Sequence, residues 1–224
     1  MAETTSTPAE AIHTGPSRAV RFALLAVIGG LIIGLSAFTT WTYLDRGNDV
    51  LPGIGSKQVL EPPTQLPDFT LTSQTGQPLS LSELHGKPVL LFFGFTHCPD
   101  ICPTTLAEFR SIKQDLGDAG QEVAFVFVSL DGTRDTPEII ANYVDRFDPT
   151  FIGLTGEEDN VREIGKDYFL QFQRVELGDN AAEGDYTVDH TAYTYLIDAD
   201  GRLRVVYPFQ TAPSTIVDDL KSLL

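Results

Sequence analysis

The order of apolar and polar residues after residue 66 predicts alternating strands and helices. Residues 69–72 and 79–81 alternate in polarity around a turn at 74–76, which is typical of a hairpin. Residues 88–95 are apolar on both faces, as in a central strand covered by helices, and residues 123–128 have the same character. The pattern therefore predicts a mixed α/β domain that opens with an N-terminal hairpin.

A helix between the two buried strands completes a strand–helix–strand unit. Residues 104–116 place Leu106, Phe109, Ile112 and Leu116 at helical spacing. Such a unit crosses over right-handed and gathers loop residues at the carboxyl ends of its strands. The other predicted elements are a helix over 137–147 capped by Thr136, a helix over 159–168, hairpin strands over 193–197 and 203–207, and a closing helix capped by Ser214 that runs to Leu224.

A long uncharged segment near the N-terminus predicts a membrane anchor. Residues 22–44 contain no charged side chain and match the ~20 residues that a helix needs to cross a bilayer. Trp41 and Tyr43 suit the membrane interface, and a good cleavage site for a signal peptide is lacking. Arg18 and Arg21 precede the segment, so the positive-inside rule places the N-terminus in the cytoplasm.

Four regions follow from these patterns. They are a short cytoplasmic tail over 1–21, one transmembrane helix over 22–44, a Gly- and Pro-containing linker over 45–63, and a folded domain over 64–224. The predicted topology is a single-pass protein of a bacterial-type inner membrane, with its C-terminal domain in the periplasm.

Composition and charge narrow the classes of partner. The chain is 42% hydrophobic and 21% charged, as in folded globular proteins, and its net charge is -16. The phosphate backbone of a nucleic acid needs a basic patch, so nucleic acid is not an expected partner. The acidic surface either keeps the domain soluble or docks a partner. Residues 176–185, which are polar and acidic, predict a surface loop just upstream of His190.

The two cysteines of the chain form a Cys-x-x-x-Cys motif at the end of the first buried strand. Cys98 and Cys102 stand at i and i+4 around a predicted helix start, which places both sulfurs on one face. Helix N-terminal amides favour the thiolate, which is the nucleophilic and metal-binding form of cysteine. A structural disulfide over three intervening residues would remove little loop entropy from the unfolded chain. Metal binding and thiol exchange both remain open for this pair.

A third ligand is needed to complete a metal site with the two thiolates. His190 is the best candidate, because it precedes a predicted strand whose loop abuts the cysteine loop in a thioredoxin-like sheet. His97 beside Cys98 is an alternative ligand. Two soft thiolates and one imidazole in a three-coordinate set favour copper, as Cu(I) or Cu(II), whereas a structural zinc site would take a fourth protein ligand.

Four separated motifs, taken together, resemble the Sco/SenC copper chaperones. The motifs are Phe93-Gly94-Phe95-Thr96-His97-Cys98-Pro99-Asp100-Ile101-Cys102-Pro103, Ser129-Leu130-Asp131, Leu154-Thr155-Gly156 and Asp185-Tyr186-Thr187-Val188-Asp189-His190-Thr191. They occur in the order of that family, and the resemblance runs from about Pro67 to Leu224. One departure is Phe95, which stands where a tyrosine is frequent.

The resemblance implies a thioredoxin-like fold and a metallochaperone, with thiol-disulfide exchange left open as an additional activity. It implies that Cys98, Cys102 and His190 bind copper, and that Asp131 is an acidic residue near the metal. It also implies a role in assembling the binuclear copper centre of cytochrome c oxidase subunit II, or of another cupro-oxidase subunit.

Three other functions compete with copper delivery. A tethered thiol-disulfide oxidoreductase would normally carry Cys-x-x-Cys and a cis-proline, but here the spacing is three and His190-Thr191 stand at the proline position. A peroxiredoxin would need a Ser or Thr where this chain has Pro99. The last alternative is a module that senses copper or redox state without carrying metal.

Overall fold

The computed structural model describes residues 29–31, 34–36, 56–178 and 185–224. The residues from Pro52 onward form one compact unit. The predicted membrane anchor over 22–44 lies mostly outside the described residues, although 29–31 and 34–36 are helical. Within the described ranges, none of the helices has the length and apolarity needed to span a bilayer.

The domain is built on an eight-stranded mixed sheet, with a separate two-stranded sheet beside it. The strands are β1 Gln58–Gln65, β2 Thr70–Ser73, β3 Pro78–Ser80, β4 Val89–Gly94, β5 Ala124–Ser129, β6 Ile152–Thr155, β7 Phe172–Glu176, β8 Tyr186–His190, β9 Tyr193–Ile197 and β10 Arg202–Pro208. The α-helices are α1 Ile101–Leu116, α2 Pro137–Val144, α3 Glu158–Gly165 and α4 Pro213–Lys221. Short 3₁₀ turns lie at Leu81–Leu84, Gly117–Glu122 and Lys166–Tyr168.

The centre of the large sheet explains why the first buried strand is apolar on both faces. The strand order is β1-β10-β9-β4-β5-β6-β2-β3, so β4 has neighbours on both sides. It pairs in parallel with β5 and antiparallel with β9. All six residues of β4 and all six of β5 are buried. The predicted strand–helix–strand unit β4-α1-β5 is therefore confirmed.

Aromatic rings fill much of the core around β4. Phe93 makes edge contacts with Tyr168 and Tyr195, with ring centroids 5.2 and 5.8 Å apart. Tyr168 and Tyr195 also meet each other edge-on at 5.2 Å. Such edge-to-face pairs add to the stabilisation from burial. They tie β4 to β9 and to the turn after α3, and so fix the strand that leads to the cysteines.

Two predicted boundaries differ from the structure. The predicted linker over 45–63 overlaps β1, an edge strand that pairs with β10 and contains a register shift between Val59 and Thr64. Prolines at this bulge mask the strand in the sequence, since proline is tolerated in sheets only at edges and bulges. The closing helix begins after Ala212, so Ser214 is not its cap. Thr136 does cap α2, accepting a hydrogen bond from the Ile139 amide.

The antiparallel pair β7–β8 is absent from the predicted elements. It forms its own two-stranded sheet, in which Phe172 pairs with His190 and Glu176 with Tyr186. Most residues of β7 are exposed, and the polar segment that joins the strands interrupts the pattern. A strand without an apolar face gives little period-2 signal. The predicted loop over 176–185 connects these strands, with residues 179–184 outside the described ranges.

Close packing of α2 on β6 generates a prediction about stability. A Cβ added at Gly153 would lie 2.1 Å from the Ile140 Cγ2 atom and 3.3 Å from Val144 Cγ1. We expect Gly153→Ala to lower the free energy of unfolding by about 1–3 kcal/mol, because the helix must shift to make room. Urea unfolding followed by circular dichroism measures this loss.

The matched control for this substitution is Gly178→Ala. An added Cβ there meets no atom of the described residues within 4 Å, so its effect should stay within about 0.5 kcal/mol. Equal stability of wild type and Gly153→Ala would contradict the described packing of α2.

Candidate metal centre

Cys98 and Cys102 lie at the junction between the end of β4 and the start of α1. The Cys98 amide donates to the Phe95 carbonyl at 3.2 Å, which turns the chain back toward the helix. α1 begins at Ile101, so Cys102 stands in its first turn, with its amide 3.5 Å from the Cys98 sulfur. Both cysteines are free thiols. Cys102 is fully buried, whereas Cys98 is partly exposed.

Gly94 gives the buried sulfur its space. A Cβ at this position would lie 2.8 Å from Cys102 Sγ and about as close to the rings of Phe92 and Phe127. Any larger residue at the end of β4 would therefore displace the thiol. A glycine inside a strand often marks such a close approach, and that signal was available in the sequence.

His190 meets the thiols from the end of β8, which lies outside the main sheet. Its Nε2 atom is 3.8 Å from Cys102 Sγ. Its Nδ1 atom lies 3.0 Å from the Thr191 carbonyl, so Nδ1 is the nitrogen held by the backbone and Nε2 is the one that faces the thiols. The rings of Phe92 and Phe95 flank the imidazole edge-on at 6.1 and 6.0 Å.

The separation of these donor atoms fits shared ligation of one ion. A sulfur ~2.3 Å and an imidazole nitrogen ~2.0 Å from the same metal, at ~110–120°, are about 3.5–3.7 Å apart. The 3.8 Å between Cys102 Sγ and His190 Nε2 is close to that value. As the side chains stand, no group of three or more His, Cys, Asp or Glu residues among the described residues is arranged as a complete metal site.

The two thiols have opposite protonation tendencies. A hydrogen bond from the Cys102 thiol is the largest cause that lowers the pKa of Cys98, and the His190 ring and backbone amides act in the same direction. That hydrogen bond, burial and the charge on Cys98 raise the pKa of Cys102. Of the two thiols, Cys98 is therefore the one that ionises first, and Cys102 is the one that keeps the shared proton.

Asp131 is buried and lies on the side of the site that supports β8. Its carboxylate accepts a hydrogen bond from the Tyr186 hydroxyl at 2.7 Å and pairs with Arg134. The Arg134 guanidinium stacks over the Tyr186 ring at 3.7 Å, and Arg174 lies over the same ring at 4.7 Å. These contacts hold the first residue of the strand that ends at His190. The predicted placement of Asp131 near a metal stays a prediction.

Asp135 is a buried acidic residue that contacts the cysteine loop, and sequence reasoning missed it. Its carboxylate accepts from the Thr96 amide and hydroxyl at 2.9 and 2.6 Å and from the Ser129 hydroxyl at 2.6 Å. His97, the alternative ligand, has a half-exposed side chain that lies toward Thr96 rather than toward the thiols in its described contacts. The aspartate stands in a polar stretch of sequence, where an exposed side chain is the usual outcome.

A groove beside His190 leads from the surface to the imidazole. The cavity measures about 780 Å³. Its walls include the rings of His190, Phe172, Tyr193 and Phe209, uncharged polar side chains, and the charged side chains of Lys57 and Asp189. An approaching molecule can therefore reach the His190 ring from this side, while Cys102 is covered.

Comparisons with known proteins agree on one family. The family model described as SCO1/SenC matches residues 57–224. A SCO2-like protein of Rickettsia felis is 33% identical over 198 residues, covering 88% of this chain and 95% of that protein.

Solved structures extend this likeness to the fold. The structure of Bradyrhizobium japonicum ScoI with copper bound has a TM-score of 0.65 at 38% identity, covering 72% of this chain and 100% of that one. BsSco, a member of the Sco family of cytochrome c oxidase assembly proteins in which a disulfide switch was identified, has a TM-score of 0.58 at 26% identity, covering 75% and 96%. The α/β fold, the motif order and the family match all lead to one conclusion: this chain belongs to the SCO1/SenC family.

Proposed function

We propose that this protein is a membrane-anchored copper metallochaperone, with Cys98, Cys102 and His190 as its copper ligands. The observation that carries the proposal is the 3.8 Å approach of His190 Nε2 to Cys102 Sγ, next to the Cys98 thiolate. Two thiol sulfurs and one imidazole are soft and borderline donors that suit copper. The copper-bound state of the related ScoI supports the same choice of metal.

The recipient in this proposal is the binuclear copper centre of cytochrome c oxidase subunit II, or another cupro-oxidase subunit. The assembly role of the related BsSco supports this class of partner. Copper is then cargo, and the ligands must release it. Cys98 and His190 are partly exposed and Cys102 is buried, so an incoming ligand reaches the first two before the third.

A thiol-disulfide oxidoreductase is the second candidate, and the depressed pKa of Cys98 favours it. In that reaction the Cys98 thiolate attacks a partner disulfide, forms a mixed disulfide and releases one partner thiolate, which takes up a proton. Cys102 then loses its proton and attacks Cys98 Sγ. The products are the Cys98–Cys102 disulfide and a second partner thiol. The same pair can thus prepare the thiols of a copper acceptor before metal transfer.

The proposed location is the inner membrane, with the domain on the periplasmic side. The uncharged segment over 22–44 and the arginines at 18 and 21 support it. An anchor would hold the carrier near a membrane-bound recipient and raise its effective concentration there.

The ligand assignment predicts the stoichiometry and pH dependence of copper binding. The reduced full chain should bind one Cu(I), and Cys98→Ser or Cys102→Ser should abolish tight binding, because one thiolate and one imidazole make an incomplete soft site. Binding through both sulfurs displaces the proton on Cys102, so the affinity should rise about tenfold per pH unit near neutrality. Competition with a Cu(I) chelator measures both effects, and stoichiometric tight binding by both variants would refute the assignment.

His190→Ala separates copper delivery from thiol exchange. The variant should keep a Cys98–Cys102 disulfide that forms and is reduced at a near-normal potential, yet should impair oxidase assembly about as severely as losing a cysteine. The physical reason is that it removes one copper ligand but leaves both thiols. Normal oxidase assembly at low copper, together with failure of the cysteine variants, would favour the oxidoreductase.

The topology predicts where a reporter is active. A fusion after Leu224 to alkaline phosphatase, which folds only where disulfides form, should be active, because the positive flank keeps the N-terminus in the cytoplasm. A matched fusion to a reporter that works only in the cytoplasm should be silent. The opposite pair of results would overturn the proposed location.

A further inference from the structure

The Asp135 carboxylate is fully buried at the carboxyl ends of β4 and β5. It accepts three hydrogen bonds from two side chains and one amide: from Thr96 N at 2.9 Å, from Thr96 Oγ1 at 2.6 Å and from Ser129 Oγ at 2.6 Å. A buried charge persists only when it is well provided with donors. Three donors on one buried carboxylate indicate that Asp135 holds neighbouring residues in place and is not a solubilising side chain.

The backbone of Asp135 is held as firmly as its side chain. Its amide donates to the Asp131 carbonyl at 2.8 Å, and its carbonyl accepts from Thr155 Oγ1 at 2.8 Å. Thr155 is the last residue of β6. The carboxylate therefore occupies a fixed position relative to β4, β5 and β6. A group that binds to it is held in a fixed position relative to the same strands.

What it binds is the segment that leads into the cysteine motif. Thr96 lies two residues before Cys98, and Asp135 engages both its main-chain amide and its hydroxyl. Two bonds to one residue fix its orientation as well as its position. The next link is the Cys98 amide, which donates to the Phe95 carbonyl at 3.2 Å. The path of the chain from the sheet to Cys98 is thus fixed by the hydrogen bonds of Asp135 to Thr96 and by the hydrogen bond between the Cys98 amide and the Phe95 carbonyl.

The same carboxylate also lies close to the His97 ring. The His97 Nδ1 atom lies 3.2 Å from Thr96 Oγ1 and 3.7 Å from Asp135 Oδ1. The imidazole is thereby drawn toward the Asp135 side of the loop. This leaves His190 as the imidazole that faces Cys102.

We infer that Asp135 is a positioning residue for the thiol pair: through Thr96 it holds Cys98 where its sulfur can act together with Cys102 and His190. Asp135 makes no described hydrogen bond to Cys98, Cys102 or His190: it holds the motif through Thr96, and its charge acts on the Cys102 thiol across space. The copper readout below rests on the proposed function, whereas the disulfide readout does not.

The test uses the full chain and compares Asp135→Asn with Asp198→Asn. Asp198 is a matched control, because it too is a buried carboxylate, 6% exposed, that accepts two backbone amides, at 3.1 and 3.0 Å, but in the β9–β10 turn. Two quantities are measured on folded protein: Cu(I) affinity by chelator competition, and the equilibrium between the Cys98–Cys102 disulfide and glutathione.

We expect Asp135→Asn to weaken Cu(I) binding about 10–100-fold, as loss of a partner that orients a ligand does in other metal sites. The disulfide equilibrium should shift by about tenfold or more, which is ~30 mV for this two-electron couple. Asp198→Asn should change neither quantity by more than about threefold, although it should also lower the midpoint of urea unfolding.

A milder pair of variants covers the case in which Asp135→Asn does not fold. Thr96→Val removes the hydroxyl that donates to Asp135, and Thr96→Ser keeps it. We expect Thr96→Val to shift the disulfide equilibrium severalfold and Thr96→Ser to match wild type.

Each outcome decides the inference. Wild-type values for both quantities in Asp135→Asn would overturn it, and so would equal losses in Asp135→Asn and Asp198→Asn. If Asp135→Asn does not fold, the same disulfide equilibrium in Thr96→Val and Thr96→Ser would overturn it. Should wild type bind no copper at all, the proposed function fails, but a disulfide equilibrium that moves only in the Asp135 and Thr96→Val variants still supports the positioning role.

Discussion

Burial of β4 on both faces is the constraint on which the rest of the molecule depends. A strand with six buried residues and neighbours on both sides cannot slide or tilt without disrupting the core. The cysteine motif begins four residues after its end, so the rigidity of the strand passes directly to the thiols. Gly94 is the last residue of the strand, and its missing side chain leaves the space that the Cys102 thiol occupies. The site is therefore an extension of the core, and of its three candidate ligands Cys98 and His190 are partly exposed to solvent.

Much of the fold follows from apolar periodicity, and its failures have clear physical reasons. Strands β4 and β5 are buried on both faces and α1 has a regular apolar stripe, so their patterns are strong. Strand β1 is hidden by prolines that an edge strand tolerates. The pair β7–β8 is hidden because most residues of β7 face solvent.

The candidate site divides in the same way. The two cysteines at i and i+4 are predicted as site residues from their spacing alone, and the family motifs predict His190 as the third ligand. Asp135 is not visible, because nothing in a short polar segment distinguishes a carboxylate that is fully buried from one that is solvated. Its role emerges only when the ends of β4, β5 and β6 are brought together. Supporting residues are thus harder to predict than ligands, since their chemistry is shared with ordinary surface positions.

The sheet β7–β8 carries the proposed third ligand, His190, on a part of the fold separate from the main sheet. The thiols come from one local motif on the main sheet, whereas His190 lies 88 residues further along the chain than Cys102, at the end of β8. The first residue of that strand, Tyr186, is held by the guanidinium groups of Arg134 and Arg174 over its ring. Phe172 and Val188 join the strand pair to the core, whereas the exposed residues of β7 can change without repacking it. The soft thiols and the proposed imidazole ligand are thereby encoded in different parts of the chain, so the geometry of the imidazole can change while the thiol motif stays fixed to the core.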